Sequence, residues 1–163
     1  MEIIIFILLI GIIYYFFKKT ETNKNKKQRT VLSSAAFDGD YRLVKNLLDK
    51  GEEIDKKDER GMTALMWASG NGHTEIAALL LDRGADINAR NNEYWTPLMF
   101  AASMGKTTLV TLLLDRRADI DAENKDGLTA LMIAKKMKHP NIAADIKEFA
   151  SKRSTKIHIV DKR

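Results

Sequence analysis

Residues Thr63 to Ala89 read TALMWASGNGHTEIAALLLDRGADINA. Thr63-Ala64-Leu65-Met66-Trp67-Ala68 opens a short helix, and Gly70-Asn71-Gly72 breaks it. Thr74 to Asp82 reads as a second helix with Ile76, Leu79 and Leu80 on one face. Gly84 ends that helix where a residue of positive φ is needed. Ala85 to Ala89 then runs outward as an extended arm.

The same unit recurs on both sides of this stretch. Thr30, Thr63, Thr96 and Thr129 are spaced by 33 residues, as are Ala35, Ala68, Ala101 and Ala134. Gly39, Gly72 and Gly105 keep the step, and Lys138 breaks it. Leu47, Leu80 and Leu113 continue it, with Ile146 in the fourth copy; Ile54, Ile87 and Ile120 mark the segment between copies. The copies are 30–62, 63–95, 96–128 and 129–150, the outer two degenerate. These columns resemble the ankyrin repeat. The resemblance covers about residues 30–150 and implies an all-α solenoid of helix-turn-helix units with short hairpin arms and a concave groove. No single copy can bury its apolar face alone. Stacking is expected to bury Leu65, Trp67, Leu79 and Leu80 against Leu98, Phe100, Leu112 and Leu113. Three departures from the family pattern stand out. Met66, Met99 and Met132 replace its usual His, so a hydrogen bond to the Thr is lost in every copy. Arg117 replaces the turn Gly and Tyr94 the hairpin Gly, which predicts local strain or a tilted arm.

The chain has 163 residues, 45% hydrophobic and 30% charged, which excludes wholesale disorder. Cysteine is absent, excluding disulfides, thiol catalysis and cysteine-ligated metals. The net charge of +5 is uneven: residues 18–29 contribute +5, 151–163 contribute +4, and 30–150 sum to −3. A mildly acidic middle argues against nucleic-acid binding there.

Ile3 to Phe17 is a run of fifteen residues without a charge. As a helix it spans roughly 22 Å, short against a hydrocarbon core of about 30 Å. Tyr14 and Tyr15 suit the interface, and Lys18 and Lys19 can snorkel to headgroups. A cleaved signal peptide and a buried core helix are the competing readings. The first lacks a positive n-region and the second a polar face. Residues 1–17 are therefore predicted to be a single transmembrane helix and uncleaved anchor, with 18–29 a polybasic juxtamembrane linker. Its Lys18, Lys19, Lys24, Lys26, Lys27 and Arg29 are candidate contacts to anionic lipid, or serve only to set topology. The positive flank puts the N-terminus outside and residues 30–163 in the cytoplasm. The tail 151–163 is basic. A disordered tail is expected, and a docking segment on the β-like run Ile157 to Val160 is the alternative.

Chemistry is sparse. Gly105-Lys106-Thr107 resembles the end of a phosphate loop, but Phe100 stands where its first glycine belongs. His73, His139 and His158 are scattered, with His73 placed to satisfy loop backbone groups. Ser33, Ser34 and Ser69 have no base in predictable reach. No catalytic residue, cofactor, metal or small-molecule substrate is assigned, and the chain is read as a non-enzyme.

In the ankyrin family, ligands contact arm tips and the first-helix surface. Carried over by column, the second copy offers Glu59, Arg60, Met62, Gly70 and Asn71. The third offers Asn92, Glu93, Trp95, Ser103 and Met104, and the fourth Lys125, Asp126, Leu128, Lys136 and Met137. Met62, Trp95 and Leu128 form an apolar column in a position exposed in the family, so they either anchor a partner or cover the stack's own edges. The resulting expectation is a membrane-tethered module holding a protein partner at the cytoplasmic face. An inhibitor or immunity-type protein occluding an effector enzyme, and a periplasmic stress-related ankyrin protein, are the rivals.

Overall fold

The computed structural model describes residues 29–160, the last seven by backbone alone. Among them are eight α-helices and no strand, two helices to each copy. The first helices are α1 (Val31–Asp38), α3 (Ala64–Asn71), α5 (Pro97–Ser103) and α7 (Ala130–Lys136). The second helices are α2 (Tyr41–Asp49), α4 (Thr74–Asp82), α6 (Thr107–Asp115) and α8 (Pro140–Val160). First helices pack on first helices and second helices on second helices, so the copies stack in register. The apolar anchor expected at 1–17 lies outside the described residues; within them no helix is long and apolar enough to cross a membrane.

The recurring threonine starts each first helix. Its Oγ1 accepts the backbone N–H three residues on: Ser33 to Thr30 at 3.0 Å, Met66 to Thr63 at 3.3 Å, Met99 to Thr96 at 3.3 Å and Met132 to Thr129 at 3.4 Å. This satisfies a donor that the helix itself cannot. Pro97 fits the first turn, where its missing N–H is no loss. The methionines in place of His are filling rather than bonding. Met66 and Met99 are buried, while Met132, in the last of the described copies, is exposed.

The break between helices uses a left-handed residue in every copy: Gly39, Gly72, Gly105 and, in the fourth, Lys138 at φ 61°. Conformation is half the reason for glycine there. A Cβ on Gly39 would lie 2.6 Å from the His73 ring, and one on Gly105 2.8 Å from the His139 ring. Each imidazole crosses the copy boundary, its Nε2–H donating to the carbonyl of Phe37 or Ser103 at 3.1 Å. This is the loop-satisfying role expected of His73, and His139 repeats it. Tyr94 and Arg117 keep the left-handed backbone that glycine would favour, at φ 62° and 63°. The strain expected at these turns is thus carried without abandoning the conformation, at about 1–2 kcal/mol per residue.

One turn column ends differently. Gly51, Gly84 and Arg117 turn the chain out of the second helix at positive φ, and Ala150 stands in the same column of the fourth copy. With alanine there, α8 continues to Val160. The tail through Val160 is therefore helical, where disorder or a β-like run was expected.

Leu65, Leu80, Leu98 and Leu113 are fully buried, as the stacking register requires. Trp67, Leu79, Phe100 and Leu112 are only half-buried, which corrects their assignment to the core. Leu80→Ala or Leu113→Ala should each cost roughly 2–5 kcal/mol, since a rigid stack cannot collapse onto the cavity. Lys125→Ala removes an exposed ion pair to Glu93 at 3.2 Å and should change stability by about 0.5 kcal/mol or less. Denaturant melts of the three variants test the register, and equal effects would refute it.

Candidate functional site

The arms are built on one repeated turn. Asp58, Asn91 and Asn124 recur at the repeat spacing, and each Oδ1 accepts two backbone N–H groups. Asp58 takes those of Arg60 and Met62 (both 2.9 Å), Asn91 those of Glu93 (3.0 Å) and Trp95 (2.8 Å), and Asn124 those of Asp126 (3.0 Å) and Leu128 (2.9 Å). A short side-chain oxygen two and four residues ahead of the donors closes the loop locally.

Neighbouring arms are joined by their backbones. Asn92 N–H donates to Arg60 O at 3.1 Å, and Lys125 N–H to Glu93 O at 3.2 Å. Arg90 reaches Glu123 O at 2.6 Å, Lys57 reaches Arg90 O at 3.0 Å, and Asn92 Nδ2 reaches Glu59 O at 3.0 Å. At the arm base, Asp55 accepts from Asp86 N–H at 3.0 Å, and Asn88 Oδ1 from Asp119 N–H at 2.9 Å. Burial pushes the Asp55 carboxyl above its ordinary value, and the Asp86 N–H partly offsets this.

Between the arms that carry Asp58 and Asn91 lies a recess of about 460 Å³. Glu59, Arg60, Asn92 and Glu93 form its rim, and Trp67 and Phe100 its apolar floor. Trp67 is fixed by its indole N–H to Asp58 Oδ2 at 3.2 Å and by Phe37 edge-on at 5.3 Å. Arg60 lies 4.7 Å from its ring centre and Arg29 4.2 Å, with Arg29 also 3.6 Å from that of Phe37. Burial and the Arg60 charge hold the Arg29 guanidinium below its ordinary value, against the pull of Asp38 and Asp58. Farther along, Tyr94 carries Arg90 on its ring at 4.3 Å.

The structure sorts the residues expected on a partner surface. Glu59, Arg60, Asn92 and Glu93 share the recess rim, and Lys125 and Asp126 are exposed on the next arm. Met104 is 58% exposed at the end of α5, and Met137 is exposed at the end of α7. Met62 is only 4% exposed, packed with Met66, Ala89, Trp67 and Phe100, so its reading as surface is corrected. Trp95 and Leu128 are half-buried against the core, and Trp95 lies 5.2 Å from Phe100. The apolar arm column therefore closes the stack's own edge. Arg29 is likewise corrected from a lipid contact to a side chain stacked in the fold, while Lys18, Lys19, Lys24, Lys26 and Lys27 lie outside the described residues.

Sequence reasoning missed Trp67 and Phe100 as the recess floor. Their shared column was aromatic in both central copies, a width that a tightly packed column does not need. It also missed Asp58, Asn91 and Asn124, although their spacing matches that of the threonines. Among the described residues no group of His, Cys, Asp or Glu could hold a metal ion.

The family model described as ankyrin repeats (3 copies) matches residues 4–91 and 88–147, the first match reaching back over the apolar segment. No curated protein is similar enough to count as a relative.

The packing of Trp95 has a measurable consequence. Trp95→Ala should lose about 3 kcal/mol, on the scale of an aromatic truncated from a partly buried site. A chemical-denaturation curve that does not move would return Trp95 to the free surface.

Proposed function

The chain belongs to the ankyrin-repeat family, whose repeats are protein–protein interaction modules and typically not enzymes, and from that premise we propose that its arm-and-first-helix side holds a protein partner beside a membrane. The observation that supports this is the recess with Trp67 and Phe100 beneath a charged rim, together with exposed Met104 and Met137 at the ends of the first helices α5 and α7. Rigid aromatic rings on the floor offer contact area with little entropy to lose, and exposed methionines add adaptable apolar surface. Glu59, Arg60, Asn92, Glu93, Lys125 and Asp126 supply the polar rim. The tether is the apolar run at 3–17, with the lysines that follow it orienting the repeats to the cytoplasm.

The partner is found by placing a photo-crosslinking residue at Met104 of the full chain in native membranes, with Thr111 on α6 as the control. The protein captured at Met104 but not at Thr111 is then titrated. Met104→Lys should weaken its binding by about 2 kcal/mol and leave the melting transition in place. Equal capture at both positions, or unchanged affinity, would move the partner to another face. Topology is tested separately. Lys125→Cys gives the chain a single thiol on an exposed arm, and an impermeant thiol reagent should label it only after lysis. Labelling of intact cells would reverse the orientation.

A further inference from the structure

The two ends of the stack are finished in opposite ways. Two columns receive the copy before them: Val31, Ala64, Pro97 and Ala130, and Leu43, Ile76, Leu109 and Ile142. In the later copies both are buried, Ile142 to 1% exposure. In the first copy Leu43 is 40% and Val31 60% exposed among the described residues, and Leu47, whose counterparts Leu80 and Leu113 are fully buried, is only half-buried. The trailing end is different. Where Ala36, Ser69 and Ala102 are buried, the fourth copy has exposed Lys135, and Lys147 replaces Leu48, Leu81 and Leu114. Charge covers the two columns of the trailing face that are apolar or small in the earlier copies, and Met132 is the large apolar residue exposed there. The leading face keeps the apolar residues of an internal boundary.

We propose that this leading face rests on a lipid surface: Val31, Leu43 and Leu47 meet the bilayer interface that residues 3–17 enter. The proposal rests on the tether reading. What selects lipid is the place where the chain leaves the fold. Arg29 is already held between Phe37 and Trp67, and Lys18 and Lys19 stand at the end of the apolar run. Only residues 20–28 remain between them, which span about 30 Å at full extension. The first copy is thus the one joined to the bilayer by the shortest stretch of chain, its start held within about 30 Å of the end of the apolar run. Lys24, Lys26 and Lys27 draw that span toward anionic headgroups. Tyr41, exposed at the start of α2, offers a ring of the kind that settles at a membrane interface. So small a patch would hold weakly by itself, but a short tether turns docking into an intramolecular event at high effective concentration.

The test uses the full chain in nanodiscs containing phosphatidylserine and a headgroup-nitroxide lipid. Single-cysteine variants Leu43→Cys, Tyr41→Cys and Lys147→Cys each carry a fluorescent label. Quenching at 43 and 41 should exceed that at 147 by about threefold or more, and adding Val31→Lys and Leu47→Lys should abolish the difference while the chain still co-floats with vesicles. Equal quenching at both ends would overturn the docking. So would shielding of position 43 from aqueous iodide without quenching by the lipid nitroxide, because the cover would then be the chain's own segment, a second copy or another protein. A chain that does not float overturns the tether, and this proposal with it.

Discussion

Helices of seven to nine residues are not stable in water by themselves, because the nucleation cost is spread over too few bonds. Every first helix here, and every second helix before α8, is in that range. Each persists only because the copies beside it remove one of its faces from water. The other features of the fold serve this contact. The threonine caps start the short helices at a fixed height, the left-handed turns hold each pair antiparallel, and the imidazoles of His73 and His139 tie one copy's loop to the next.

The arms obey the same rule by other means. They have little apolar surface, so polar groups supply their order, with one carboxylate or amide oxygen closing each tip and backbone bonds linking tip to tip. The surface proposed to hold a partner is therefore largely preformed. Its rim residues sit on turns that are already closed, so binding has little backbone left to order.

The fold was legible because the repeat makes every structural demand several times over. The threonines and buried leucines are needed in each copy and so appear in each copy. The site was less legible, for a reason of size. Whether Met62 or Trp67 is the buried member of a neighbouring pair depends on how two large side chains share one gap, and spacing alone does not decide that. Arg29 misled through its company. It closes a run of lysines, yet its planar guanidinium can stack on Phe37 and Trp67 as an ammonium cannot. The tail misled through a single residue, since Ala150 permits a helix where glycine or a strained arginine had turned the chain.

That unbroken last helix also fixes how the molecule can lengthen. Solenoids grow by duplication of a copy, and an added copy must find a receiving face directly after the turn. Beyond Ala150 the chain travels about ten further residues as helix, roughly 15 Å along its axis, before it could begin another unit. The face it leaves behind carries Lys135 and Lys147. A duplicate appended at this end would arrive displaced and meet charge. One inserted between the second and third copies would meet complementary columns on both sides. An added copy is thus accommodated more readily in the middle of the stack than beside Lys135 and Lys147, so a longer groove is built most simply by an internal insertion of one repeat length.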